Sequence, residues 1–152
     1  MRLPRSLISG VLFFSLIATA AAAGRVVKVL PHYLDSKGRH ALSPSLYERD
    51  AYQAFLRQNR AERKALRFDV RWKHSGEPTG PLKLRAELRG VRGNVIEQRT
   101  LEKGLGSKAH FAKWASLLLD GEAYENFGEL IAWRVTLWDG EDLLNEQSSF
   151  LW

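Results

Sequence analysis

Imidazole is the side chain whose charge changes nearest neutral pH, and this chain carries four: His32, His40, His74 and His110. None stands at a short metal-ligand spacing from another, and each falls near a turn or the end of an apolar run. Any two could meet in a folded domain, but spacing does not specify a pair. The reading is therefore of surface or half-buried histidines, with no metal and no cofactor expected. The chain has no cysteine, which removes thiol catalysis, thiolate zinc sites and iron–sulfur clusters. Met1 is its one methionine, so methionine-ligated copper is removed too. Gly-x-Ser-x-Gly, Ser-x-x-Lys, His-Glu-x-x-His and P-loop patterns are absent. Gly104-Leu105-Gly106 reads as a hinge between strands, and Asp139-Gly140-Glu141-Asp142 as a hairpin turn rather than a calcium loop. An enzyme would have to build its site from carboxylates or histidines that the chain order does not announce. A small secreted hydrolase of that kind is kept as the alternative function.

The sharper chemical signal is positive charge at alternate positions. In residues 66–73, Leu66, Phe68, Val70 and Trp72 alternate with Arg67, Asp69, Arg71 and Lys73. In residues 82–89, Leu82, Leu84, Ala86 and Leu88 alternate with Lys83, Arg85, Glu87 and Arg89. Period two is that of a half-buried strand. If the two runs pair as a hairpin, Arg67, Arg71, Lys73, Lys83, Arg85 and Arg89 share one surface with two acids between them. Such a face could hold an anionic envelope polymer, lipid headgroups, nucleic acid or an acidic protein. A solvated sheet face that merely discourages aggregation has the same composition. Without aromatics interleaved among the cations, nucleic acid is disfavoured.

The elements that must position these residues can be read by period. Residues 25–34 form a first strand ending in a polar turn at Asp35-Ser36-Lys37-Gly38-Arg39. Ser43-Pro44 opens a helix over about residues 44–63, with Ser43 as N-cap and a capping box at Ser45-x-x-Glu48 one register later. Tyr47, Ala51, Ala54, Phe55 and Gln58 are placed on its apolar side, and Arg49, Gln53, Arg57 and Arg60 towards the other. That stripe is expected to cap the domain. Further strands follow at 66–73, 82–89, 95–101, 111–119, 130–138 and 143–152, with Trp152 packed into the core at the end of the last. Seven strands with turn signals between them predict an antiparallel sandwich with one helix inserted after its first strand.

The first two dozen residues have a different character. Arg2 and Arg5 precede an apolar stretch of about a dozen residues, which gives way to Ala20-Ala21-Ala22-Ala23. This is the layout of a cleavable secretory signal peptide over residues 1–23, too short to span a bilayer as a helix. A single domain over residues 24–152 is expected after cleavage. Without Arg2 and Arg5 the basic count falls from 23 to 21 against 17 acids, a net charge of +4. The absence of cysteine also excludes a lipid anchor at a cysteine and any disulfide. These features predict export by the general secretory route to a periplasmic or extracellular, soluble state. The outward strand positions are too charged to face lipid, so no stable membrane insertion is expected.

The later half of the chain resembles immunoglobulin and fibronectin type III modules. Trp114, then Leu119-Asp120-Gly121-Glu122-Ala123-Tyr124, then Trp133-Arg134-Val135 is similar to the run into their sixth strand. The resemblance covers residues 66–152, and it implies that Tyr124 hydrogen-bonds back to the preceding turn. It supports an immunoglobulin-like fold and names no function. The functional expectation is a non-catalytic binding or structural module of the bacterial envelope or exterior, acting through the basic hairpin face or the helix.

Overall fold

The computed structural model describes residues 23–106 and 111–152. Its elements in chain order are β1 (Gly24–Leu34), α1 (Leu46–Gln58), a single 3-10 turn (Arg60–Glu62), β2 (Ala65–His74), β3 (Leu82–Arg92), β4 (Val95–Gly104), β5 (Lys113–Leu119), α2 (Gly121–Glu125), β6 (Glu129–Asp139) and β7 (Asp142–Ser148). The molecule is mainly β, with seven strands in two antiparallel sheets. One sheet runs β1-β2-β5 and the other β4-β3-β6-β7. Alternation works as the period of two requires. Leu66, Phe68, Val70 and Trp72 of β2 are buried together with Leu82, Leu84, Ala86 and Leu88 of β3, and Leu117, Leu119, Val135 and Leu137 join the same core. Among the described residues, no helix is long and apolar enough to cross a membrane.

The expected hairpin between residues 66–73 and 82–89 does not form. β2 is the central strand of one sheet and β3 a central strand of the other. The cause lies in residues 75–81, which cross between the sheets instead of turning back. Asp139 at the end of β6 accepts from Thr79 N at 2.9 Å and Gly80 N at 2.6 Å, and Gly140 N donates to the Pro81 carbonyl at 3.1 Å. The crossover is thereby tied to the β6–β7 turn on the far sheet.

The helix also departs from expectation. Its N-cap is Ser45, whose side chain accepts from Glu48 N, and it ends at Gln58. The stripe of Tyr47, Ala51 and Phe55 faces outward, with Tyr47 83% exposed. The docked residues are Gln53 and Leu56, both buried. Gln53 decides this orientation, because its amide pairs with the open edge of β1. Its Oε1 accepts from Tyr33 N at 2.8 Å, and its Nε2 donates to the carbonyls of Tyr33 and His40 at 2.9 and 2.8 Å. Three backbone groups that would otherwise lack partners outweigh the burial of a modest apolar stripe.

Two aromatic residues take unexpected places. Tyr124 lies in α2, a short helix that the sequence reading did not foresee, and is buried with its hydroxyl unpaired. It therefore makes no hydrogen bond to the preceding turn. Trp152 is not part of β7, which ends at Ser148. Its indole lies under the guanidinium groups of Arg89 and Arg134, at 4.0 and 5.0 Å from the ring centre.

Candidate functional site

The outer face of the β1-β2-β5 sheet can be assembled row by row from the register. Across β1, β2 and β5 the rows are His32–Arg67–Leu118, Leu30–Asp69–Ser116 and Lys28–Arg71–Trp114, and Arg25 opposes Lys73 at the end. The 35–45 segment and α1 fold over the first two rows. Asp35 holds that segment in place: its carboxylate accepts from Lys37 N, Arg39 N, Arg39 Nε and the Tyr52 hydroxyl. Burial alone would raise the Asp35 carboxyl, but these hydrogen bonds outweigh it and hold it well below the usual carboxylate range. The turn brings His40 back over β1, where its ring centre lies 4.8 Å from that of His32.

The result is a shallow cleft of about 290 Å³ lined by Leu30, His32, His40, Arg49, Asp69 and Trp114. Asp69 organises its floor. One carboxylate oxygen accepts from the Ser116 hydroxyl at 2.6 Å. The other meets His32 Nδ1 at 3.1 Å and accepts from Arg67 Nε and Nη2 at 3.1 and 2.9 Å. Burial works to raise the Asp69 carboxyl, yet His32, Ser116 and Arg67 together press it well below the ordinary range. Arg67 Nη2 also reaches His40 Nδ1 at 3.1 Å. The His40 pKa is lowered, first by burial and then by the neighbouring His32 and Arg67. Neither imidazole Nε2 has a protein partner among the described residues.

Beside the cleft lies a strip of bare positive charge. Arg25 faces Lys73 and Lys28 faces Arg71 directly across the β1–β2 pair. All four are exposed, and among the described residues none is within ion-pairing distance of a carboxylate. A bulge between Val26 and Lys28 makes this possible. Arg25 and Lys28 are three residues apart, so regular alternation would send them to opposite faces. The extra residue, Val27, restores both to the outer one. Trp114 stands in the same row as Arg71 and is 53% exposed.

The six basic residues expected on one surface are therefore divided. Arg67, Arg71 and Lys73 lie on this face, while Lys83, Arg85 and Arg89 lie on the outer face of the opposite sheet. There the charge is spent internally. Glu102 pairs with Arg85 at 2.6 Å and Lys83 at 3.4 Å, Arg134 pairs with Glu87 at 2.8 Å, and Arg89 covers Trp152. Sequence reasoning missed Arg25, Lys28 and Trp114 as members of the site. The adjacent valines Val26-Val27, which break the period of two, were the signal that parity changes in β1. His74 lies apart from the site, buried with both ring nitrogens unpaired and 3.8 Å from Asp139; His110 falls outside the described residues. Among the described residues no group of three or more histidine or acidic side chains could hold a metal ion. Compared with protein-family models, curated proteins and solved structures, the chain matches none of them.

Proposed function

We propose that this protein is an exported, non-catalytic binding module of the bacterial envelope or exterior that holds an anionic polymer on the outer face of its β1-β2-β5 sheet. The observation that carries this reading is the pair of like-charge rows, Arg25 with Lys73 and Lys28 with Arg71, without carboxylates to balance them among the described residues. Like charges directly opposite on a sheet destabilise it, so an anion bridging both rows would relieve a cost built into the fold. The opposite sheet neutralises its cations with Glu87 and Glu102, which makes it the weaker candidate.

Within this reading the domain is an immunoglobulin-like sandwich. The order β1-β2-β5 against β4-β3-β6-β7 supports the fibronectin type III arrangement, in which the fourth strand joins the third rather than the fifth. Export rests on residues 1–23, of which 1–22 lie outside the described residues. β1 starts at Gly24, directly after the expected cut.

Retention on an immobilised polyuronate at about 0.05 and about 0.5 M salt tests the binding face. Wild type should be released by the higher salt. Arg71→Glu with Lys73→Glu should weaken retention about tenfold or more, and Lys83→Glu with Arg85→Glu much less. Retention that ignores salt, or that is indifferent to the first pair, would overturn the proposal. The second reading, a small hydrolase, draws on the Asp69–His32 contact, which orients the ring and leaves its Nε2 without a protein partner among the described residues. Against it, Ser116 donates to Asp69 rather than to a histidine, and no hydroxyl is hydrogen-bonded to either ring among the described residues. Chain shortening of the bound polymer by wild type but not by His32→Gln would establish that reading instead.

A further inference from the structure

We propose that the polymer held by this face is an acidic glycan, with a sugar ring stacked on Trp114, its hydroxyls read by His32 and His40, and its anionic groups on Lys28, Arg71, Arg25 and Lys73. This inference rests on the binding function proposed above and adds the chemistry of the ligand.

The two imidazoles have partners of opposite hydrogen-bonding character. His32 Nδ1 lies 3.1 Å from the Asp69 carboxylate, which can only accept, so Nδ1 donates, and in the neutral ring Nε2 is a lone pair. His40 Nδ1 lies 3.1 Å from the Arg67 guanidinium, which can only donate, so Nδ1 is the lone pair and Nε2 carries the proton. With both rings neutral, the cleft offers one acceptor and one donor on neighbouring rings. A phosphate, sulfate or carboxylate oxygen accepts only, and would meet the His32 lone pair unfavourably. A hydroxyl both donates and accepts, and adjacent sugar hydroxyls would serve both rings at once. Neutral imidazoles thus select against an anion in the cleft, whereas the four cations beside it, unpaired among the described residues, select for one.

Trp114 joins the two regions. It lines the cleft and shares a row with Lys28 and Arg71. Its position on an outer sheet face, 53% exposed, leaves indole surface available to the apolar face of a pyranose ring. Arg49 of α1, paired with Asp50 at 2.8 Å, closes the other side of the cleft. A chain of sugars bearing carboxylates would place rings over the indole and charges over the strip. Polyphosphate has the charge without the rings, and a neutral glycan has the rings without the charge.

Titration of the purified protein with four probes tests this: an oligogalacturonate, its fully methyl-esterified form, inorganic polyphosphate and a single-stranded oligothymidylate. Oligogalacturonate should bind tightest, and Trp114→Ala should weaken it about tenfold while leaving polyphosphate binding unchanged. The esterified form should bind more weakly than the acid and still respond to Trp114→Ala. Imidazole nitrogen resonances of His32 and His40 should move with oligogalacturonate and stay in place with polyphosphate. Because Trp114 lies at the surface, the variant should melt with the wild type, which separates lost binding from lost folding. Equal affinity for polyphosphate with no effect of Trp114→Ala would overturn the glycan while leaving the anion-binding face standing. Tighter, Trp114-dependent binding of oligothymidylate would overturn it in favour of a nucleic acid. Indifference of every probe to Arg71→Glu with Lys73→Glu would overturn the binding function itself.

Discussion

Arg67 holds two groups of the cleft at once, since its guanidinium touches both the Asp69 carboxylate and His40 Nδ1. The arrangement suits a neutral His40: a proton on Nδ1 would end the hydrogen bond from Arg67 and set two cations against each other. Burial lowers the His40 pKa from 6.5, and His32 and Arg67 lower it further. A lowered histidine pKa means that folding favours the neutral ring. Its contribution to stability is complete above the unfolded value and is lost as the pH falls through the folded one. The melting temperature of wild type should therefore fall between pH 7 and pH 5 more steeply than that of His40→Gln, as followed by circular dichroism. Equal slopes would refute the assignment. Asp35 and Asp69 act at lower pH, because both are depressed; their contributions are complete above about 3.8, the ordinary value, and are lost progressively as the pH falls from there through the folded values. Spacing alone reveals none of this, since His32, His40, Arg67 and Asp69 meet only after β1 pairs with β2 and the 35–45 segment folds back.

At the scale of elements, α1 is placed by one polar side chain. Hydrophobic periodicity predicts that Tyr47, Ala51 and Phe55 face inward, whereas the structure turns Gln53 and Leu56 to the sheet. Gln53 serves as a substitute strand for the edge of β1, supplying the donor and acceptor that a neighbouring backbone would have. Gln53→Ala should cost about 1–3 kcal/mol in urea denaturation, because it strands buried backbone groups of Tyr33 and His40. Gln58→Ala, at an exposed position of the same helix, should cost a small fraction of that. Comparable losses would mean that helix propensity, and not the edge contact, sets the stability here. The start of the helix was legible to within one register, since Ser45 and Glu48 stand at capping spacing. Its inward face was not, because a glutamine on a helix reads as solvent-facing until an unpaired strand edge lies beside it.

At the scale of the whole molecule, the two sheets meet over a core whose members alternate along β2 and β3. Leu84 is fully buried at the middle of this core. Leu84→Ala should cost about 2–5 kcal/mol by denaturant unfolding, the range for a leucine cavity that neighbours cannot refill. A smaller loss would indicate a core that relaxes around the cavity. The same large-scale view explains where the charge goes. Both outer faces carry basic residues, but one is balanced by Glu87, Glu102 and Glu146 while the other presents Arg25, Lys28, Arg71 and Lys73 with no ion-pair partner among the described residues.

The mainly β character, the number of strands and their approximate bounds, and the inward side chains of β2 and β3 are legible from residue types alone. These follow from local alternation, which is the pleat of a strand written in residue types. Alternation says nothing of which sheet a strand joins, so Arg71 and Arg85 looked like neighbours and lie on opposite outer faces. That choice belongs to long-range ties such as Asp139 holding the 75–81 crossover, and to the bulge that turns Arg25 and Lys28 outward together. The four histidines have no pattern along the chain. Tertiary structure gathers two of them around Asp69 and Arg67, one ring against a carboxylate and the other against a guanidinium, and buries a third beside Asp139.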